Sequence, residues 1–569
     1  MLFILRNPIY RILYFELKNR PQKCFKIKNY YPRLENRISA TYAAKTAATN
    51  KNSLYDSYIK AFRWASDRID EGIIGFVTNA GWIDGAAMDG LRKCFENEFS
   101  EIYVFNLRGN QRTQGEMSRR EGGKVFGSGS RAPIAITILV KSAHEGSAKI
   151  FYRDIGEYLS REEKLAIISR ARVFGGEFEE IYPNERCDWI NQRGNEFEKF
   201  ISLHESSNPY IWIWFMTRSN GLKTNRDAWC YNFSRSELEK NIRTTIDYYN
   251  THSTMEIDPT KFVWNSSSVK NKNRGLEIEF DAAKIVESFN RPFCKQNFYL
   301  DELLNERLGK MRELFPNGAE NLLICVSGIG NSKDFSVLIT NRITDYQMNF
   351  NTQCYPLYYY ERSGQGSLFG ENLERRDGIS DYILTEARKR FGDVSKEDIF
   401  YYVYGFLHLR SYREKFSAEL KKSLPRIILS ERFWEFSRAG RDLAEIHLNY
   451  ETQPPAKVEI IGGGDFRVKK LRFARDDRTT LIYNDFITIK NIPPRSFEYV
   501  VNGRSPLEWI IDRYQIKTDT ASGIINNPND WATEHDKPRY ILDLILSSIT
   551  VSLKTLDIVE NLPEINFDA

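Results

Sequence analysis

Apolar and polar positions in the first quarter of the chain fall into short blocks whose period switches between that of a strand and that of a helix. The run Leu2 to Leu5 is apolar and reads as a strand. Between Asn52 and Ile69, Ser53 and Asp56 stand at capping-box spacing, and Leu54, Tyr58, Phe62, Ala65 and Ile69 share one face, which predicts an amphipathic helix. Gly72 to Asn79 is a short apolar run ending in turn residues, a helical stretch follows to Phe99, and Ile102 to Leu107 is a second apolar run. Strand, helix and strand in this order predict a parallel α/β sheet. A polar segment rich in Gly, Arg and Ser, from Arg108 to Arg131, leads into Ala132 to Lys141, the most strand-like stretch of the chain. A loop of that length inside a compact domain tends to be functional.

Beyond residue 150 the rhythm gives way to mixed helices and strands with many aromatic residues. Pro454-Pro455 and Gly462-Gly463-Gly464 punctuate the chain further on, and boundaries are expected near 185 and 455. The 569 residues exceed what one hydrophobic core usually holds. No stretch approaches the roughly 20 consecutive apolar residues of a membrane span, and the N-terminal apolar run lacks the length and basic start of a signal peptide. A cytoplasmic protein with no membrane association is expected. The seven cysteines are scattered singly without a nearby histidine, so no metal site is expected and the thiols read as reduced and structural. A net charge of +5 permits nucleic-acid binding through local patches without demanding it.

Candidate chemistry begins at Asn7-Pro8-Ile9-Tyr10, directly after the first apolar run and therefore at a strand end, where open α/β sheets bind ligands. An ordinary X-Pro turn is the structural alternative. The order of the following elements resembles the later motifs of gamma-type adenine-N6 DNA methyltransferases, whose catalytic motif is Asn-Pro-Pro-Tyr. The text of Thr49 to Asp56, Asn106 to Arg112 and Gly127 to Ala135 is similar to type ISP restriction-modification enzymes, single polypeptides carrying nuclease, helicase, methyltransferase and target-recognition regions in that order. So is that of Arg291-Pro292-Phe293, Phe433 to Ser437, His447 to Glu451 and Tyr483-Asn484. The resemblance runs from about residue 30 to the C-terminus.

The resemblance implies an α/β, Rossmann-like methyltransferase fragment over 1–185, a target-recognition domain of α+β class over 186–455, and the C-terminal part of the specificity region over 456–569. It implies catalytic roles for Asn7, Pro8 and Tyr10. The Asn7 amide oxygen and the Pro8 carbonyl would accept from the amino group of a base extruded from double-stranded DNA, and Tyr10 would stack beneath it. Phe126 matches the aromatic on the base's other face, with a loop anchor in the core as the alternative. Arg108, Arg112, Arg119, Arg120, Lys124 and Arg131 are the DNA-backbone candidates, ahead of the run Arg467, Lys469, Lys470, Arg472 and Arg475, which also reads as a solvated strand face. Ile9 replaces the family's second proline, and Arg11 to Lys28 departs from the family's polar loop. The methyl donor implied is S-adenosylmethionine, but its glycine turn precedes the catalytic motif in this family. The cofactor site is therefore expected to be incomplete and the donor to bind weakly. Two functions stay open: a site-specific adenine-N6 methyltransferase, or a catalytically inactive DNA-binding module, either from a truncated gene or completed by a companion polypeptide with helicase, nuclease and cofactor-binding regions. A small-molecule methyltransferase is discouraged by the second half.

Overall fold

The computed structural model describes the backbone of Leu2–Leu5 and residues 31–48, 50–113, 115–126, 131–143, 145–172, 176–205, 212–331, 333–362 and 373–567, with backbone alone at 115, 116, 266 and 362. It divides into two compact units, Met1–Asn195 and Glu196–Ala569.

The first unit is a six-stranded sheet in the order β1-β2-β4-β3-β5-β6. Its strands are β1 (Leu2–Leu5), β2 (Gly72–Asn79), β3 (Glu101–Asn106), β4 (Ile134–Lys141), β5 (Lys149–Asp154) and β6 (Glu179–Ile181). The sheet is mixed, which corrects the parallel expectation. β4 lies antiparallel between β2 and β3, and only β3 and β5 pair in parallel. The cause is the connection from β3 to β4, which leaves and rejoins the sheet at the same end of its strands: the Leu107 amide donates to Ile134 O at 2.8 Å and the Ile134 amide to Arg108 O at 3.1 Å. A chain that returns at the end it left must run back antiparallel.

Helices α1 (Pro32–Ala40), α2 (Tyr42–Lys45), α3 (Ser57–Ser66) and α4 (Asp89–Glu98) complete this core. The helix expected from Asn52 is broken: Asn52–Tyr55 is a 3₁₀ turn, and Asp56, extended at ψ 149°, precedes α3. Leu54, Phe62, Ala65 and Ile69 are nonetheless buried as the apolar pattern requires. Phe62, Trp82 and Phe95 meet edge to face at 5.2–5.7 Å, geometry that favours aromatic rings beyond their buried area. The wholly buried Arg92 donates to the carbonyls of Trp82, Ile83, Gly85 and Cys187 at 2.6–3.2 Å, closing the turn that follows β2.

The second unit is built from short antiparallel sheets packed on helices. One sheet centres on the hairpin Ile285–Arg291 and Cys294–Tyr299, a second on Leu323–Val326 flanked by Val337–Thr340 and Gln353–Pro356, and a third spans Glu459–Gly462 to Ile487–Lys490. A single hydrophobic cluster joins Leu222, Phe298, Leu323, Leu481, Leu507 and Ile549. The helices Lys396–Phe406 and Phe433–Leu448 cross where Gly405 faces Gly440. A Cβ at Gly440 would stand 1.8 Å from Tyr401 O, so the crossing requires glycine. No helix of the described residues is long and apolar enough to cross a membrane.

Candidate nucleic-acid interface

The loop joining β3 to β4 is a built structure. It contains the helix α5 (Gly115–Glu121), which the sequence pattern does not announce. Its two ends are tied together: the Gly109 amide donates to Glu121 O at 3.1 Å, and the Asn110 amide to the Glu121 carboxylate at 2.9 Å. Beneath them lies Lys164 of helix α6 (Arg161–Arg170), wholly buried, whose Nζ donates to Leu107 O at 3.0 Å and to Glu121 O at 2.6 Å. Burial pushes the Lys164 ammonium below its usual range, and the nearby Glu121 opposes that shift. Gly122 and Gly123 lie against the entry to α6, where a Cβ would meet Leu159 O at 2.2 Å and the Arg161 amide nitrogen at 2.5 Å.

This base positions the basic side chains unequally. Arg108, at φ 53°, is half-buried and bonded to Asp154 at 2.7 Å and Glu157 at 3.2 Å, so its guanidinium holds the loop to the end of β5. Burial opposes its charge most strongly, but the Asp154 hydrogen bond and the charges of Asp154, Glu157 and Glu121 together outweigh it and raise its pKa. Arg131 reaches back to Gln111 O at 2.9 Å and is exposed. Arg112, Arg119 and Arg120 are exposed, Arg120 standing 3.9 Å from Glu157, and Lys124 is half-buried. The Phe126 side chain is 51% exposed, which rules out a core anchor. Asn7, Pro8 and Tyr10 lie outside the described residues. β1, which precedes them, runs antiparallel to β2 with Leu5 opposite Ile73. Its C-terminal end therefore sits at the edge where β2 begins, opposite the edge that carries Arg108 and Asp154.

Replacing Lys164 with methionine is expected to leave Leu107 O without its donor and to cost about 1–3 kcal/mol of stability. Amide exchange at Gly109 and Gly123 should quicken relative to β2 and β4. Unchanged exchange across residues 107–123 would show that the lysine is not what ties the loop.

In the second unit, the stretches that carried the sequence likeness are framework. Phe433 and Phe436 are buried in the helix crossing, and Phe293, at φ 55°, turns the central hairpin. His447 is wholly buried, 2.6 Å from the Tyr404 hydroxyl and 2.9 Å from that of Thr555, and burial lowers its pKa to about 3. It is a neutral packing residue. Asn484 donates to the carbonyls of Asp465 and Arg467, fixing the turn that holds the glycine triplet. The expected strand face at 467–475 is mostly loop, with Val468 and Leu471 buried and Lys469, Lys470, Arg472 and Arg475 exposed. The six described cysteines are free and buried, and no group of described residues could hold a metal ion.

A mixed sheet bearing a braced arginine loop, followed by a large unit braced by buried polar side chains, defines a two-unit α/β protein with a basic edge. Residues 214–544, more than half the chain, match the Type ISP C-terminal specificity domain, and the chain belongs to that family. Among solved structures it is similar to a nuclease-deletion mutant of the Type ISP restriction-modification enzyme LlaGI in complex with a DNA substrate mimic, at 40% identity and TM-score 0.85, over 94% of this chain and 51% of that one. It is also similar to the ATP-dependent Type ISP enzyme LlaBIII bound to DNA, at 37% identity and TM-score 0.86, over 95% of this chain and 36% of that one. The DrdV-DNA complex matches at 28% identity and TM-score 0.81, over 94% of this chain and 55% of that one. The chain thus spans about half the length of the LlaGI deletion mutant. No curated protein matches it.

Proposed function

We propose that the chain is the DNA target-recognition part of a Type ISP restriction-modification system, binding double-stranded DNA and directing adenine-N6 methylation to a short site. The observation that carries this is the specificity-domain match over 214–544, on a chain 40% identical to a Type ISP enzyme held with a DNA substrate mimic. Phosphate contacts from Arg112, Arg119, Arg120, Lys124 and Arg131 would set register, with Arg108 bracing the loop, while exposed side chains of the second unit read base edges. Asn7 and Pro8 would accept from the extruded adenine's amino group, with Tyr10 on one of its faces.

The methyl donor for such a reaction is S-adenosylmethionine. The described residues do not fit it: the turn after β2 spends three carbonyls on Arg92, and the end of β3 is filled by Arg108 and Asp154. This favours a second reading, in which the chain recognises DNA and a companion polypeptide carries the cofactor-binding, helicase and nuclease regions. Both readings require binding to duplex DNA in the cytoplasm.

Five phosphate contacts predict that log Kd rises by about 0.9 per contact with log salt, a loss of roughly 10²- to 10³-fold between about 50 and 200 mM. Fluorescence anisotropy with a labelled duplex reads this directly. Binding that ignores salt, or no binding at low ionic strength, would refute the proposal.

A further inference from the structure

Three cations gather around one tryptophan in the second unit, and a fourth, Lys517, shares the carboxylate of Asp512 with two of them. Trp509 lies in the helix Pro506–Arg513, its ring buried and its Nε1 donating to Val501 O at 2.7 Å. The guanidinium of Arg504 is 5.1 Å from the ring centroid, that of Arg513 is 5.7 Å away, and the Lys333 Nζ is 5.9 Å away. Lys517 follows the helix. The single carboxylate paired with this group is Asp512, 3.0 Å from Arg504, 2.8 Å from Arg513 and 3.8 Å from Lys517. Among the described residues Lys333 has no carboxylate partner; it donates to the Asn502 carbonyl and side-chain oxygens at 2.8 and 3.1 Å.

Such an arrangement works against itself in the free protein. Burial first, and then the charges of Arg504, Arg291 and Arg513, push Lys333 down to about 8. Burial and neighbouring cations lower Arg513 and Lys517 as well, with Asp512 opposing. Attraction to the ring's π face offsets part of the repulsion. The remainder is a standing surplus of positive charge, and it is reachable, since the side chains of Arg504, Arg513 and Lys517 are 20%, 27% and 45% exposed. An anion with several acceptor oxygens satisfies such a surplus, and Arg is suited to grip one bidentately.

We propose that Lys333, Arg504, Arg513 and Lys517 around Trp509 seat a backbone phosphate of duplex DNA. This rests on the DNA-binding reading above and places one of its contacts on the specificity unit, apart from the arginine loop. The site sets register and carries no base information, so its loss weakens binding to all sequences alike.

The test compares the unaltered chain with the Lys333→Gln/Arg504→Gln double variant and with Arg504→Lys, using a labelled mixed-sequence duplex over a series of salt concentrations. Thermal unfolding is followed in parallel. The double variant is expected to bind about three- to tenfold more weakly near 0.1 M salt, with its salt slope smaller by about one, and Arg504→Lys to keep the slope. If the double variant fails to fold, the more exposed Lys517→Gln takes its place with the same loss expected in smaller measure. A folded variant that keeps the affinity and slope of the unaltered chain overturns the site and leaves the DNA-binding reading standing. An unaltered chain that does not bind overturns both.

Discussion

Replacing Arg291 with methionine is expected to cost about 3–5 kcal/mol of the second unit's stability, because it strips the partner from a buried carboxylate. The Arg291 guanidinium lies 2.9 Å from Asp345 and 3.4 Å from Asp227, with the Asp345 side chain only 4% exposed. Burial raises Asp345 to about 7 although Arg291 pulls the other way, whereas at Arg291 the carboxylates outweigh burial and raise the guanidinium. The sign of the pH effect follows. The folded protein holds the Asp345 proton more tightly than the unfolded chain does, so the stability this group contributes is full below about pH 4 and is lost as pH rises through about 7. Without Arg291 the carboxyl stays protonated to still higher pH. The deficit of the variant should therefore be larger at pH 8 than at pH 5, by about 1.4 kcal/mol for the one pH unit above the Asp345 value, as read from urea unfolding at the two values. Equal deficits would show that the pair contributes nothing through its charge.

The second large effect is expected at Asn7. If its amide oxygen is one of two acceptors that hold the adenine amino group, Asn7→Ala removes an interaction that strengthens toward the transition state. The cost is about 2–4 kcal/mol, or roughly 30- to 1000-fold in rate. Tyr10→Ala should cost about 1–3 kcal/mol, the range for stacking a base on an aromatic, and Tyr10→Phe should be nearly silent because the ring face does the stacking. Tritium-methyl transfer is measured with a companion polypeptide that supplies the cofactor-binding region. Equal rates for Asn7 and Asn7→Ala would show that Asn7-Pro8-Ile9-Tyr10 is only a turn.

Local pattern told a great deal about the first unit and little about its assembly. Strand β2 runs from Gly72 to Asn79, as its apolar run predicts, and β4 fills most of Ala132 to Lys141. Direction was hidden, because strand pairing depends on where the connection re-enters the sheet, and nothing in the Arg108 to Arg131 text states that its ends are bonded to each other. Lys164 was equally hidden. It sits in Arg-Glu-Glu-Lys after a capping box, a sequence that reads as a solvated helix face, and only the carbonyls of Leu107 and Glu121 reveal why a lysine is buried there. In the second unit the recognisable stretches proved to be the frame: Phe433, His447 and Asn484 hold helices and turns. Likeness carried by such a frame identifies the family and says nothing of a DNA sequence. The cations about Trp509 come from Lys333 and from residues 504–517, and no sequence window holds them together.

The most direct test of the central claim is selection of the chain against a pool of duplexes with a randomised core, followed by sequencing of the retained DNA. The account predicts enrichment of one short sequence, bound at least about 10³-fold more tightly than unrelated duplex at the same salt. Retained DNA that stays as random as the input, while binding remains salt-sensitive, would contradict a role in target recognition and leave only a nonspecific grip on the phosphate backbone.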